Sequence, residues 1–180
     1  MIRDPGFETV PQQYGPASAY HPATAWYYRS TLAGFYRSGN PLISANGAVP
    51  EGVQVAFLRA NKGAGGSVCQ MVDFGAVHHY FRLTGYAAQL NSSSPAAGMV
   101  AVSVGGSLVG TLSPAPGPYS SWSLGPFPVS GHAILEFRAL PRPDGHDSTV
   151  LVDGLVLVSL GVVAPTLARP ARYAPGRSGT

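Results

Sequence analysis

The sequence predicts an all-β fold, a two-sheet sandwich or jelly roll of short antiparallel strands. Three observations carry this. Charged residues are only 11% of the chain, while glycine (23) and proline (17) are abundant, a profile that disfavours helical bundles and favours short strands joined by tight turns. Apolar residues recur with period two through most of the chain, the spacing of strands and not of helices. No repeat, heptad pattern or long amphipathic helix competes with that reading. A length of 180 residues fits one domain with a real core, and a hydrophobic share of 45% argues against general disorder.

The elements follow in chain order. Trp26-Tyr27-Tyr28 predicts a strand after an irregular, proline-bounded loop from Pro11 to Pro22. Val68, Val72 and Phe74 share one face of another, with Gln70 among them. In Val77 to Tyr86, one face carries Val77, Phe81 and Leu83; the other carries His78, Tyr80, Arg82, Thr84 and Tyr86. This is a half-buried antiparallel strand with a polar-aromatic outer face. Val100, Val102 and Val104 form a third inward set, and Gly105-Gly106 predicts a two-residue hairpin into Ser107–Leu112. Tyr119–Leu124 and His132–Arg138 add two strands, while Ser113–Pro118 and Leu140–Asp147 read as connections. From residue 164 onward the chain is rich in Pro and Arg, so we divide it into a sandwich domain, 1–163, and an extended arm, 164–180, that cannot form a core alone.

Composition also bounds function. The net charge of +3 rests on arginine, with Lys62 the single lysine, and only Arg169, Arg172 and Arg177 cluster. A nucleic-acid surface needs a basic patch interleaved with aromatics, so no nucleic-acid partner is expected. Cys69 is alone, which excludes an intramolecular disulfide and a cysteine-based zinc site. The apolar run from Val150 to Ala164 is too short to span a bilayer, and no apolar stretch of signal-peptide type follows Met1. No nucleophile elbow, phosphate loop or dinucleotide fingerprint is present, and Asp144 and Asp147 share one loop instead of facing across a cleft, so no enzyme is expected.

Asp153 stands out. It interrupts Val150–Val158, the most apolar stretch, and by strict alternation points the same way as Leu151, Leu155 and Leu157. A carboxylate there must be paired, bind a metal or hold a proton. The opposite face, Val150, Val152, Val156 and Val158, is apolar too, which points either to cover by the N-terminal segment or to a subunit interface.

Six segments, in order, resemble galactose-binding-like jelly-roll modules, the superfamily of many bacterial carbohydrate-binding modules. Asp4-Pro5-Gly6-Phe7-Glu8 resembles the family's N-G-x-F-E opening, with Asp-Pro-Gly in place of Asn-Gly. Pro50–Leu58 is similar to P-D-G-x-Q-V-A-F-L, and Ser67–Val72 to S-I-x-Q-x-V. Val104–Thr111 is similar to the V-D-G-x-x-V-G-T hairpin, with Gly105 where the family has aspartate. Gly131-His132 and Phe137 fit the next strand, and Val152–Leu157 the closing I-D-N-V-x-I. The resemblance spans residues 4 to 160 and implies a galactose-binding-like jelly roll.

The resemblance also implies that the first and last strands meet at a structural calcium, with Glu8 and Asp153 as its side-chain ligands and backbone carbonyls completing the shell. The alternatives are that both acids accept backbone N–H groups, or that Asp153 pairs with an arginine such as Arg3. His78, Tyr80, Arg82 and Tyr86, with Tyr119 and Trp122 beside them, are the candidate glycan-binding residues, because sugars need flat aromatic surfaces and a few orienting polar groups. The adjacent His78-His79 pair points to opposite faces and makes no convincing metal site. Two functions follow as expectations. One is a structural or adhesion protein of a surface assembly, such as a virion decoration, tail or head-fibre component, joined to other subunits through the arm and able to bind glycans. The other is a stand-alone carbohydrate-binding module of a secreted or cell-surface bacterial protein.

Overall fold

The computed structural model describes residues 1–8, 25–90 and 98–162. The loop expected over Pro11–Pro22 and the arm expected over 164–180 lie outside the described residues. The strands are β1 (Tyr27–Tyr28), β2 (Ala33–Arg37), β3 (Gln54–Asn61), β4 (Ala64–Gly65), β5 (Ser67–Asp73), β6 (His79–Gln89), β7 (Met99–Val104), β8 (Ser107–Leu112), β9 (Ser120–Val129), β10 (His132–Leu140) and β11 (Ser148–Val162). One sheet has the order β1-β5-β10-β7-β8 and the other β2-β3-β11-β6-β9, with β4 paired to β3; every pairing within them is antiparallel. Among the described residues no helix is long and apolar enough to cross a membrane.

The period-two pattern places the core between the sheets. Val68, Val72, Val100, Val102, Leu135 and Phe137 face inward from one side; Ala56, Leu58, Phe81, Leu83, Val150 and Val152 meet them from the other. Phe7 and Trp26 are fully buried, their ring centroids 4.9 Å apart, and Trp26 reaches Phe137 at 6.3 Å. The hairpin at Gly105-Gly106 forms as expected, both residues at positive φ (57° and 83°) with Val104 opposite Ser107.

Several boundaries differ from the sequence reading. Val77 precedes β6 and is exposed, so it does not share the inward face of Phe81 and Leu83. β9 runs beyond Leu124 through Pro126 and Pro128, which an edge strand tolerates because its outer N–H groups need no partner. β2 was not expected; its Gly34 leaves room for the Phe57 ring, which would lie 2.8 Å from a Cβ there.

The last strand departs most. Asp153 pairs with Tyr86 and Val156 with Thr84, so β11 carries one extra residue at a bulge where Gly154 takes φ +57°. The bulge reverses the faces. Before it, Val150 and Val152 enter the main core while Leu151 points out of the sandwich; after it, Leu155 and Leu157 face the core and Val156 and Val158 point out. Asp153 and Leu151 therefore do not share a face with Leu155 and Leu157. Leu151 is covered by a second small core of Ile43, Val55, Ala88 and Leu90, laid on the outer face of the six-stranded sheet by a 3-10 turn at Pro41–Asn46. Half of that outer face is roofed; the other half, from Tyr86 to Tyr80, is open.

Candidate functional site

Residues 3–8 form a strap across one end of the sandwich. The Arg3 N–H donates to Gln70 Oε1 at 2.7 Å and the Gln70 side-chain amide donates back to the Arg3 carbonyl at 2.7 Å, tying the strap to β5. The Leu155 N–H donates to the Pro5 carbonyl at 3.2 Å, tying it to β11 in the other sheet. Trp26 Nε1 donates to the Asp4 carbonyl at 2.9 Å. The strap thus clips both sheets together.

Glu8 and Asp153 meet at this clip, as the resemblance implies, on either side of the turn from Glu51 to Gln54. Glu8 Oε1 accepts the N–H groups of Val53 (2.8 Å) and Gln54 (2.9 Å). Asp153 Oδ2 accepts the Glu51 N–H at 2.8 Å. Gly52 sits at φ +58°, and a Cβ there would lie 2.3 Å from the Glu8 carboxyl, so only glycine lets the acid reach the turn. Both acids therefore bond to backbone N–H groups, and Asp153 does not pair with Arg3. Asp153 is fully buried, and its second oxygen, Oδ1, has no partner. Burial first, then the nearby Glu51 and Glu8 charges, push its pKa up to about 7 against the pull of the backbone N–H bonds.

An unpartnered buried carboxylate oxygen fits either a cation or a proton. Calcium takes six to eight oxygens, and among the described residues no group of three or more His, Cys, Asp or Glu side chains could hold a metal ion. Side chains alone supply a partial calcium shell, which Asp153 Oδ1 and Glu8 would begin and carbonyls or water would have to complete.

The open half of the outer face carries a groove of about 420 Å³ beside the Gly154 bulge, lined by Thr84, Tyr86, Ser121, Trp122, Ser123 and Val156. Alternation along β6 presents Tyr80 (39% exposed), Arg82, Thr84 and Tyr86 (43% exposed) to this face as expected. The register sets Ser121 against Tyr86 and Ser123 against Thr84, so their hydroxyls join the same face. These serines, and Val156, were missed in sequence; the Ser-Trp-Ser alternation of β9 was the available signal.

Three expected ligand residues are placed differently. Trp122 lies opposite Gly85, and its ring occupies the space a Gly85 side chain would need; it reaches Phe137 across the core at 6.2 Å, so it supports the groove from the core side. Tyr119 packs against the second small core with its hydroxyl buried, and burial, then the Asp153 charge, raises its pKa well above the usual range. It is no part of the open platform. His78 lies before β6, its Nε2 3.2 Å from Ser130 Oγ, while His79 Nδ1 is 3.0 Å from Ser159 Oγ. The loop acids Asp144 and Asp147 pair with Arg142 and Arg59.

No protein-family model matches the chain, and no curated protein matches it. Solved structures do. TmCBM61 in complex with β-1,4-galactotriose aligns over 88% of this chain and 97% of its own, with a TM-score of 0.55 and 13% identity. The carbohydrate-binding module CBM36 in complex with calcium and xylotriose aligns over 73% and 92%, at 0.51 and 20%. The arabinose-bound α-L-arabinofuranosidase MgGH51 aligns over 88% of this chain but 26% of its own, at 0.54 and 15%. At these identities the likeness is one of architecture, and this chain has the galactose-binding-like jelly-roll fold seen in carbohydrate-binding modules.

Proposed function

We propose that this protein is a non-catalytic glycan-binding module, acting at a cell or virion surface, that holds sugar on the open outer face of its six-stranded sheet. The groove beside Gly154 carries the reading. There one exposed tyrosine ring, an apolar wall at Val156 and the hydroxyls of Thr84, Ser121 and Ser123 converge. A sugar offers apolar C–H faces to the ring and hydroxyls to the polar side chains. The architecture supports it, since two of the similar modules are complexed with oligosaccharides. Affinity electrophoresis against galactans, xylans and acidic polysaccharides tests it. Retardation is expected for at least one polymer and is lost in Tyr86→Ala; no retardation by any would refute it.

The proposal includes a structural calcium at the strap, begun by Asp153 Oδ1 and Glu8, whose charge would neutralise the buried acid. The partnerless Oδ1 supports it, and melting with and without chelator tests it.

A second reading, a subunit of a surface assembly, is favoured by one observation: Val156 and Val158 are exposed on the outer face of β11, and Leu160 and Val162 are exposed at and beyond its second register shift. The other apolar residues of that strand are already covered within the molecule, which weakens the case for a subunit interface along the whole strand. Light scattering tests this reading; a monomer at high concentration counts against it.

A further inference from the structure

The open face is not electrically neutral. Arg82 is exposed at its middle, between Tyr80 and Thr84 on the same side of β6. Its neighbour across on β11 is Val158, which is apolar. On the β9 side Gly125, at φ +113°, approaches so closely that a Cβ would lie 2.7 Å from the Phe81 carbonyl, and it offers no side chain to the guanidinium.

Nor does any acidic side chain neutralise Arg82. The chain has eight acidic residues, all among the described residues. Asp4, Glu8 and Asp153 accept backbone N–H groups at the strap. Asp73, Glu136, Asp144 and Asp147 pair with His132, Arg138, Arg142 and Arg59. The eighth, Glu51, lies at the Tyr86 end: a Cβ on Gly154 would be 3.0 Å from the Tyr86 ring and 3.7 Å from a Glu51 carboxylate oxygen. Strand geometry sets Tyr86 and Arg82 roughly 13 Å apart and Tyr86 and Tyr80 about 20 Å apart, too far for Glu51 to pair with Arg82.

From this juxtaposition we propose that the face binds an anionic sugar chain, lying along β6 with its carboxylated or sulfated ring over Arg82 and an uncharged ring against Tyr86. The inference rests on the glycan-binding reading above and names the ligand class. A guanidinium presents paired N–H donors that match a carboxylate or sulfate. Tyr80 and Tyr86 supply platforms on either side of it, and Glu51 repels a second anionic ring at the Tyr86 end. The polarity of the face, acid at one end and base in the middle, sets the direction of the chain.

Calorimetry on the full chain at low salt, with four probes, tests it. Oligogalacturonate is compared with its methyl ester, and a sulfated galactan with its desulfated form. The wild type should bind at least one charged probe about tenfold more tightly than its neutral partner, the ratio expected of a single charge-assisted hydrogen bond. The preferred pair identifies the anionic group. The preference should shrink with added salt. Arg82→Gln should remove the preference, so that charged and neutral probes bind alike, and Arg82→Lys should restore part of it. Equal binding of charged and neutral probes, or a preference that survives Arg82→Gln, overturns the proposal. Neutral chains bound through Tyr86 without charge preference would overturn it and leave the glycan-binding reading standing. No binding of any of the four probes overturns the proposal, and the glycan-binding reading falls with it only if the electrophoresis panel is also silent.

Discussion

Replacing Asp153 with asparagine should flatten the dependence of stability on pH. Asp153 is fully buried, gives Oδ2 to the Glu51 N–H and leaves Oδ1 without a partner. Burial and two neighbouring acids raise its pKa from 3.8 to about 7. The folded protein therefore holds this proton more tightly than the unfolded chain. The associated stability is fully present below about pH 4, declines as pH rises through 7 and is lost above it. At about 1.36 kcal/mol for each factor of ten in proton affinity, the difference is on the order of 4 kcal/mol. For a domain of this size that is roughly 10 °C in Tm. In chelator, about 3 kcal/mol of this remains at pH 5 and almost none at pH 8.5, so the wild type should melt roughly 7 °C higher at pH 5 than at pH 8.5. Asp153→Asn keeps an acceptor for the Glu51 N–H and carries no charge, so its two melting points should differ far less. Calcium added at pH 8.5 should restore the wild type and leave the variant unmoved if the ion sits on Oδ1. Differential scanning calorimetry on both proteins reads all of this. A wild type with the same pH profile as Asp153→Asn would refute the reasoning, because ionisation of the buried acid would then cost nothing.

Other perturbations separate the clip, the cores and the open face. Phe7→Ala empties a fully buried site beside Trp26 and should cost about 3–5 kcal/mol in urea unfolding. Gly52→Ala forces a Cβ into the Glu8 carboxyl at a left-handed backbone position, so a loss of roughly 1–3 kcal/mol is expected in the same assay. Leu151→Ala should cost about 2–5 kcal/mol by hollowing the second small core; a change below about 0.5 kcal/mol would mean that this roof does not pack as described. Tyr86→Ala removes a half-exposed ring, so it should leave stability within about 0.5 kcal/mol while abolishing glycan retention.

What the sequence determined by itself was the architecture and most of the exposed face. Strict alternation in β6 placed Tyr80, Arg82, Thr84 and Tyr86 on one side, because side chains in a regular strand have no other choice. Gly105-Gly106 specified its hairpin because few residue pairs accept two positive φ angles. The six ordered motifs brought Glu8 and Asp153 together from opposite ends of the chain. Tertiary structure decided the rest. One extra residue at Gly154 reversed the faces of β11, and no periodicity argument registers a single inserted residue inside an apolar run. The roof over Leu151 came from the 3-10 turn at Pro41–Asn46, whose packing on the sheet is a long-range contact with no local signature. That roof withdrew Tyr119 from the face, and Gly85 drew Trp122 inward by leaving its ring a space. Which partners the acids took was likewise decided only in the folded chain, where the strap, the 51–54 turn and β11 met and the remaining acids found partners elsewhere; among the described residues no acidic side chain pairs with Arg82.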